Sequence, residues 1–342
     1  RGKDSYDYDG NAATTQLAWK LADIYHSEPT IIGKPPGKVL SSRIYSDAYY
    51  RFQNNYSTFK SSNVNRKRII VAGSNAGMLH AFDDSDGDEL WAFIPPSMIP
   101  KLRSIIKPSS PNATTSIFGV DGSPVVKDIF YGGSWRTVLL GGLGRGGHSY
   151  YALDVTDTEN PRHLFTFEND HIHDEVTHWD ASGTKNTYGY GVGKIIPPEY
   201  DYRLLGETFS TPKILRIRIG STDKWVAVFG AGFNNNVTSD FGSAVYVIDL
   251  EDGGKVLKVI TLSDNNDPNT SPVTNLVKNS VPATLIPVTA DSTTIAEYYG
   301  ALVYFADYEG KLWKINLTNN GTLYDAQILF NAEANGPNER RV

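Results

Sequence analysis

The chain is patterned in short runs whose apolar positions tend to recur every second residue, each broken by glycine, proline, asparagine or aspartate. Residues 214–219 (ILRIRI) alternate, while 125–130 (VVKDIF) and 30–32 (TII) supply β-branched residues. A period of two places alternate side chains on one face of a strand, and β-branched residues fit that pleated surface. Only 96–106 and 171–179 look even partly helical.

The runs repeat as a set. Residues 68–93, 136–167, 224–260 and 300–330 each predict a strand, a glycine turn, a second strand, a polar turn and a third strand. The second strand ends on Asp83, Asp154, Asp249 or Asn316, where a side-chain oxygen can bond the next backbone N–H groups and start the turn. Gly87, Gly253 and Gly321 follow and take conformations that other residues resist. A further strand precedes each segment, announced by serine and proline at 27–29, 123–124, 210–212 and 280–282. Proline lacks an N–H, so it fits the first residue of a strand better than its middle.

Each copy thus holds four strands, which is one propeller blade. The expected fold is all-β, a β-propeller built from four-stranded antiparallel blades with long inter-strand insertions. Residues 1–342 are read as a single propeller domain cut from a longer protein, with an entry segment over 1–26 and repeat units near 27–93, 123–167, 210–260 and 280–330. The landmark prolines 29, 124, 212 and 282 lie 95, 88 and 70 residues apart, longer than the ~40–50 residues of a compact blade. Insertions are therefore expected at 33–65, 94–116, 168–203 and 262–279. Four units are at the low end of the ~4–8 blades of known propellers, and no fifth Ser/Pro strand precedes Val342. Further blades are expected beyond it.

Composition narrows the function classes. A hydrophobic fraction of 40% with 31 Gly, 18 Pro and 20 Tyr belongs to a folded, turn-rich chain, because disorder needs low hydrophobicity with high net charge. A net charge of −6, with no basic run longer than Arg66-Lys67-Arg68, argues against a nucleic-acid partner. No apolar run approaches the ~18 residues of a membrane span. Cysteine is absent, so disulfides and thiolate sites are unavailable and the compartment is left open on this ground. Arg1-Gly2-Lys3-Asp4 leads into an acidic stretch rather than the apolar core of a secretory leader.

Calcium is the first candidate ligand, because it takes about six to eight oxygens that loops supply from alternating Asp and Asn. Asp7, Asp9 and Asn11 occupy the first, third and fifth positions of an EF-type loop. Ala12 stands where that loop needs glycine and Ala18 where it needs a closing glutamate, so a solvated acidic segment is the competing reading. Asp84, Asp86 and Asp88 form a second candidate, although turn chemistry alone explains Asp and Gly there. The run 264–267 (DNND) reads as a plain polar loop.

Other motifs are weaker. In a strand, His171 and His173 would share a face as a zinc pair does. No ligand from a second segment can be named and no HExxH order exists, so 170–178 is read as an exposed loop without catalysis. Residues 142–147 (GLGRGG) satisfy G-x-G-x-x-G, but a dinucleotide site needs a helix next and a strand is expected at 150–154. G-x-S-x-G elbows and P-loops are absent. Tyr45, Tyr49, Tyr50 and Tyr56, among Asn and Ser, offer either the rigid contact area and adaptable hydrogen bonds favoured at binding surfaces or ordinary loop packing.

Several segments resemble a known family in order. Residues 19–29 (WKLADIYHSEP) resemble the W-[RK]-L-x-D-I-x-x-S-x-P entry of PilC/PilY-type proteins, and 72–82 (AGSNAGMLHAF) resemble their G-x-N-D-G-M-L-H-x-F. Residues 141–147 with 151–157 are similar to the family's glycine-rich turn and A-L-D-V-[TS], and 304–313 to Y-x-G-D-x-x-G-x-L-W. The resemblance covers most of 15–320. It implies an exported, non-enzymatic protein at the pilus tip or outer surface of a bacterium, with a separate N-terminal region that would pack as its own partner domain. It also implies roles in type IV pilus biogenesis, retraction control and adhesion, contact with minor pilins and host or abiotic surfaces, and calcium-dependent switching. Where members often carry an Asp-rich calcium loop before Y-x-G-D, this chain has 291–297 (DSTTIAE), which offers too few hard oxygen ligands. The competing class is a quinone-cofactor dehydrogenase, whose propellers use similar G-x-L-x-A-L-D strand pairs. Those enzymes usually carry a vicinal cysteine pair and eight regular blades, and neither is found here.

Overall fold

The computed structural model describes residues 2–3, 18–19, 21–106, 117–234, 240–262 and 280–332. A short pair, β1 (Gly2–Lys3) with β2 (Ala18–Trp19), precedes four antiparallel sheets. The first contains β3 (Thr30–Ile32), β4 (Ile69–Ser74), β5 (Met78–Asp83) and β6 (Glu89–Phe93). The second runs from β7 (Val125–Tyr131) through β8 (Ser134–Gly142), β9 (Ser149–Asp154) and β10 (Arg162–Asp170) to β11 (Glu175–Trp179) and β12 (Lys185–Gly189). The third holds β13 (Lys213–Ile219), β14 (Thr222–Gly230), β15 (Ala244–Asp249) and β16 (Lys255–Thr261). The fourth holds β17 (Ile286–Thr289), β18 (Gly300–Ala306), β19 (Lys311–Thr318) and β20 (Ala326–Asn331). Strands pair in chain order throughout, the meander of propeller blades.

The repeat is built from the predicted turn residues. Asp83, Asp154, Asp249 and Asn316 each accept, through a side-chain oxygen, the backbone N–H two residues on, at 2.9, 2.9, 2.9 and 3.0 Å. Three of these positions carry a charge, and each is met by a cation on, or just ahead of, the strand beside it: Lys67, Arg136 and Lys224. Each cation lies two residues before the strand partner of its aspartate, Ile69, Val138 or Val226. In the fourth sheet the equivalent residue is Gly300, two before Leu302, and the turn residue is the neutral Asn316. The charge and its counter-ion are lost together. A register shift also recurs between the third and fourth strands of every repeat. Such bulges increase local twist.

Neighbouring sheets touch through close backbone approaches. A Cβ added at Gly73 would lie 2.2 Å from the Val120 carbonyl oxygen, and one at Gly230 would lie 2.2 Å from that of Val281. The same two glycines donate their N–H groups to Ser27 Oγ and Ser210 Oγ, which explains the serine before the first strand of the first and third sheets; Ser123 instead accepts the Glu28 N–H and Ser280 donates to the Gly232 carbonyl. Three apolar cores fill the spaces between sheets. One includes Val71, Leu139 and Tyr151, a second Tyr150, Phe167 and Trp225, and a third Val228, Val247 and Trp313.

The insertions depart from expectation. Residues 33–65, expected as an irregular loop, contain α1 (Asp47–Gln53) and α2 (Tyr56–Ser62). Ser46 caps α1 by accepting the Tyr49 N–H at 3.1 Å. The partly helical reading of 96–106 is met by a 3-10 turn over Pro96–Lys101 and α3 (Leu102–Ile106). That of 171–179 is corrected, because this stretch is a turn followed by β11, which with β12 widens the second sheet to six strands. β-branched Val176 and Thr177 and ladder partners on both sides outweigh any helical preference.

Candidate functional site

Asp7, Asp9 and Asn11 lie outside the described residues. Asp84, Asp86 and Asp88 occupy the turn between β5 and β6, with Gly87 at φ +81. Asp84 Oδ2 pairs with the Arg68 guanidinium and Asp86 Oδ1 accepts the Asp88 N–H at 3.0 Å. Among the described residues no three His, Asp or Glu side chains converge on a metal position.

The glycine-rich segment at 142–147 joins β8 to β9 and opens no helix. The Gly146 N–H donates to the Leu143 carbonyl at 2.9 Å and Lys101 Nζ donates to that of Gly146 at 2.8 Å. Arg145 lies over the Phe118 ring, 4.5 Å from its centroid. His171 and His173 stand in the turn after β10, not in a strand. His173 Nδ1 lies 2.7 Å from Asp170 Oδ2, whereas His171 turns towards His148.

The densest polar cluster was not foreseen, and it lies where the first sheet's helical insertion crosses the molecule. Arg43 donates to the backbone carbonyls of Ala290 and Thr293 in the fourth sheet's loop. Asp291 Oδ2 accepts the Asp47 N–H at 2.7 Å and Oδ1 that of Ala48 at 3.3 Å. The loop that resembles a depleted calcium loop thus spends its carboxylate on the first turn of α1, while a guanidinium takes two of its carbonyls. Asp47 reaches Lys127 at 3.0 Å and Arg216 at 3.2 Å. Arg216 also pairs with Asp223 at 3.0 Å, and Arg218 with Asp223 at 2.7 Å. Burial disfavours ionisation of Asp47, but Lys127, Arg216 and Arg51 outweigh it and hold its carboxyl down at about 2.

The tyrosines of this insertion are its anchors. Tyr56 is fully buried; its hydroxyl donates to Asp128 Oδ2 and accepts the Gly37 N–H at 3.0 Å. Burial and the Asp128 hydrogen bond both raise the Tyr56 pKa. Tyr50 packs edge-on to Trp135 and Trp225, with the Arg216 guanidinium 4.4 Å from its ring centroid. Tyr45 meets Tyr299 at 5.1 Å, and Arg218 stacks on that ring. Packing accounts for these three. On the outer side, Tyr49 lies 6.2 Å from Phe52, which is 51% exposed. The missed signal was Ser46-Asp47 ahead of Ala48, Tyr49 and Tyr50, a capping residue and an acidic first turn before a good helix former.

Meandering four-stranded units packed face to face, tied by an insertion that links the first sheet to the fourth, define a β-propeller. The chain belongs to the PilY1 β-propeller family, whose model matches residues 21–327. It is 30% identical over 300 residues to the type IV pilus biogenesis factor PilY1 of Pseudomonas aeruginosa strain UCBPP-PA14, covering 88% of this chain and 21% of that protein. A PilY1 homolog of Xylella fastidiosa is 32% identical over 268 residues, covering 78% and 15% respectively. The crystal structure of the Pseudomonas aeruginosa PilY1 C-terminal domain superposes with a TM-score of 0.52 at 29% identity, covering 84% of this chain and 45% of that one. The chain thus spans about a fifth of the length of the first of these relatives and under half of the solved domain.

Proposed function

We propose that this chain is part of a type IV pilus biogenesis factor, acting as an interaction module rather than an enzyme. The observation that carries this reading is the family match over 21–327, and the relatives it resembles are named as pilus biogenesis factors. The quinone-dehydrogenase alternative gains nothing from these relatives. No helix among the described residues is long and apolar enough to cross a membrane, and we place the protein at the bacterial surface, at the pilus tip. There its insertions contact minor pilins or an external surface, with the exposed Phe52 and the half-buried Tyr49 beside it as contacts. Support for adhesion and retraction control comes from the resemblance alone. Calcium belongs to the same proposal, with Asp7, Asp9 and Asn11 as one site and Asp84, Asp86 and Asp88 as a second.

The test is genetic. Deleting the full gene is expected to abolish surface piliation, and restoring it with the propeller intact is expected to recover piliation. Unchanged piliation, twitching and adhesion in the deletion strain would refute the proposal. Calcium is tested by calorimetric titration with Asp7→Ala/Asp9→Ala beside Asp84→Ala/Asp86→Ala. Each variant is expected to lose part of the wild-type heat, and heat undiminished from wild type in both variants removes both sites.

A further inference from the structure

The turn after β10 brings together two imidazoles that are 23 residues apart in sequence. His148 lies between the glycine-rich connection and β9, and His171 follows the last residue of β10. The β9–β10 ladder pairs Ser149 with Glu168, and the Asn169 N–H donates to the His148 carbonyl at 3.0 Å. Backbone pairing therefore fixes both histidines at one rim. Their Nδ1 atoms stand 2.8 Å apart, with ring centroids at 4.4 Å and planes inclined by 44°.

We propose that His148 and His171 form a binding site for a divalent transition ion of the zinc type, with water completing its coordination. Imidazole nitrogen is a preferred ligand of Zn2+ and its neighbours in the first transition row. At Zn–N distances of about 2.0–2.1 Å in a tetrahedral site, two nitrogens sit roughly 3.3 Å apart. The rings need separate by only about half an ångström to admit the ion. In the free protein the two rings meet through one N–H···N hydrogen bond between their Nδ1 atoms; as the ion takes both Nδ1 lone pairs, the donor ring's proton moves to its own Nε2, so each ring binds as a neutral imidazole.

The surroundings agree. His171 is exposed, which leaves an entry path, and the Phe241 ring covers one side at 5.6 Å. His173 is engaged with Asp170 and is not the second ligand that the sequence pattern suggested. No third His, Asp or Glu joins the pair among the described residues. The site is therefore exchangeable, unlike the four-ligand sites that hold folds together.

The experiment is titration of the purified chain with Zn2+ at pH 7.5 by calorimetry, and with Cu2+ by electron paramagnetic resonance. One ion per chain is expected, with hyperfine coupling to two nitrogens. His148→Ala and His171→Ala should each weaken binding at least tenfold, while His173→Ala leaves it within twofold. Near-ultraviolet circular dichroism checks that the variants stay folded, and His171→Ala, at an exposed position, keeps the test decisive if His148→Ala unfolds. Undiminished affinity in His171→Ala, or loss of binding in His173→Ala with His171→Ala unaffected, overturns the proposal.

Discussion

Replacing Asp47 by asparagine removes one charge from between two cations while keeping the side-chain shape. In the native protein the carboxyl lies at about 2 instead of its ordinary 3.8, so roughly 1.8 pH units at ~1.36 kcal/mol each give about 2 kcal/mol of stability. Asp47 is only 15% exposed and Arg216 2%, so solvent screening takes little of this away. Breaking a buried ion pair costs ~3–5 kcal/mol when the partner is stranded. Here Arg216 keeps Asp223 and the Tyr50 ring, which argues for the lower figure. The pH dependence follows from the depressed value. The stabilisation is complete above about pH 4 and is lost as the pH falls towards 2. Urea unfolding midpoints at pH 7, 4 and 3 should show Asp47→Asn less stable than wild type by about 2 kcal/mol at the first two and by less at the third. A difference under about 0.5 kcal/mol at pH 7, the range of ordinary surface substitutions, would refute the reasoning. So would one unchanged at pH 3.

Three further substitutions probe other parts of the molecule. Tyr56→Phe strands the Gly37 N–H and takes a donor from Asp128, and should cost about 1–3 kcal/mol in urea melts. Gly230→Ala forces a methyl group to within 2.2 Å of the Val281 carbonyl oxygen; the connection must move, and a loss of about 1–3 kcal/mol is expected in the same assay. Glu168 is raised by burial, with Lys101 partly opposing, to about 7. Its folded pKa exceeds its unfolded one, so its contribution falls as pH rises from about 4.5 to 7. Glu168→Gln should therefore be more stable than wild type at pH 8, by up to about 3 kcal/mol, and no more stable at pH 4; equal shifts at both pH values would contradict this.

The blades were legible because their determinants are local. A period of two and an Asp or Asn near the end of the second strand each act within a few residues, and the structure uses the Asp and Asn turns as read; the prolines at 29, 124 and 212 stand directly before their strands, whereas Pro282 lies four residues ahead of Ile286. The β11–β12 hairpin was harder to see, since Glu175–Trp179 is short and sits among polar residues that also suit a loop. The polar cluster was not legible at all. Arg43, Asp47, Arg216 and Asp291 are scattered over some 250 positions, and no pattern in one sequence says that they meet. His148 and His171 illustrate the same limit, because their encounter depends on strand register rather than on spacing.

The insertion that crosses from the first sheet to the fourth also bears on synthesis. Arg43 and the carbonyls it reaches are 247 and 250 residues apart. At ~5–20 residues per second, Arg43 emerges on the order of ten to fifty seconds before its acceptors exist. Through that interval Tyr45 lacks Tyr299 and the α1 amides lack Asp291. The first sheet can close early, but the crossing seats only after the fourth sheet's loop has been made, so its protection from protease during translation reports that the fourth sheet has emerged.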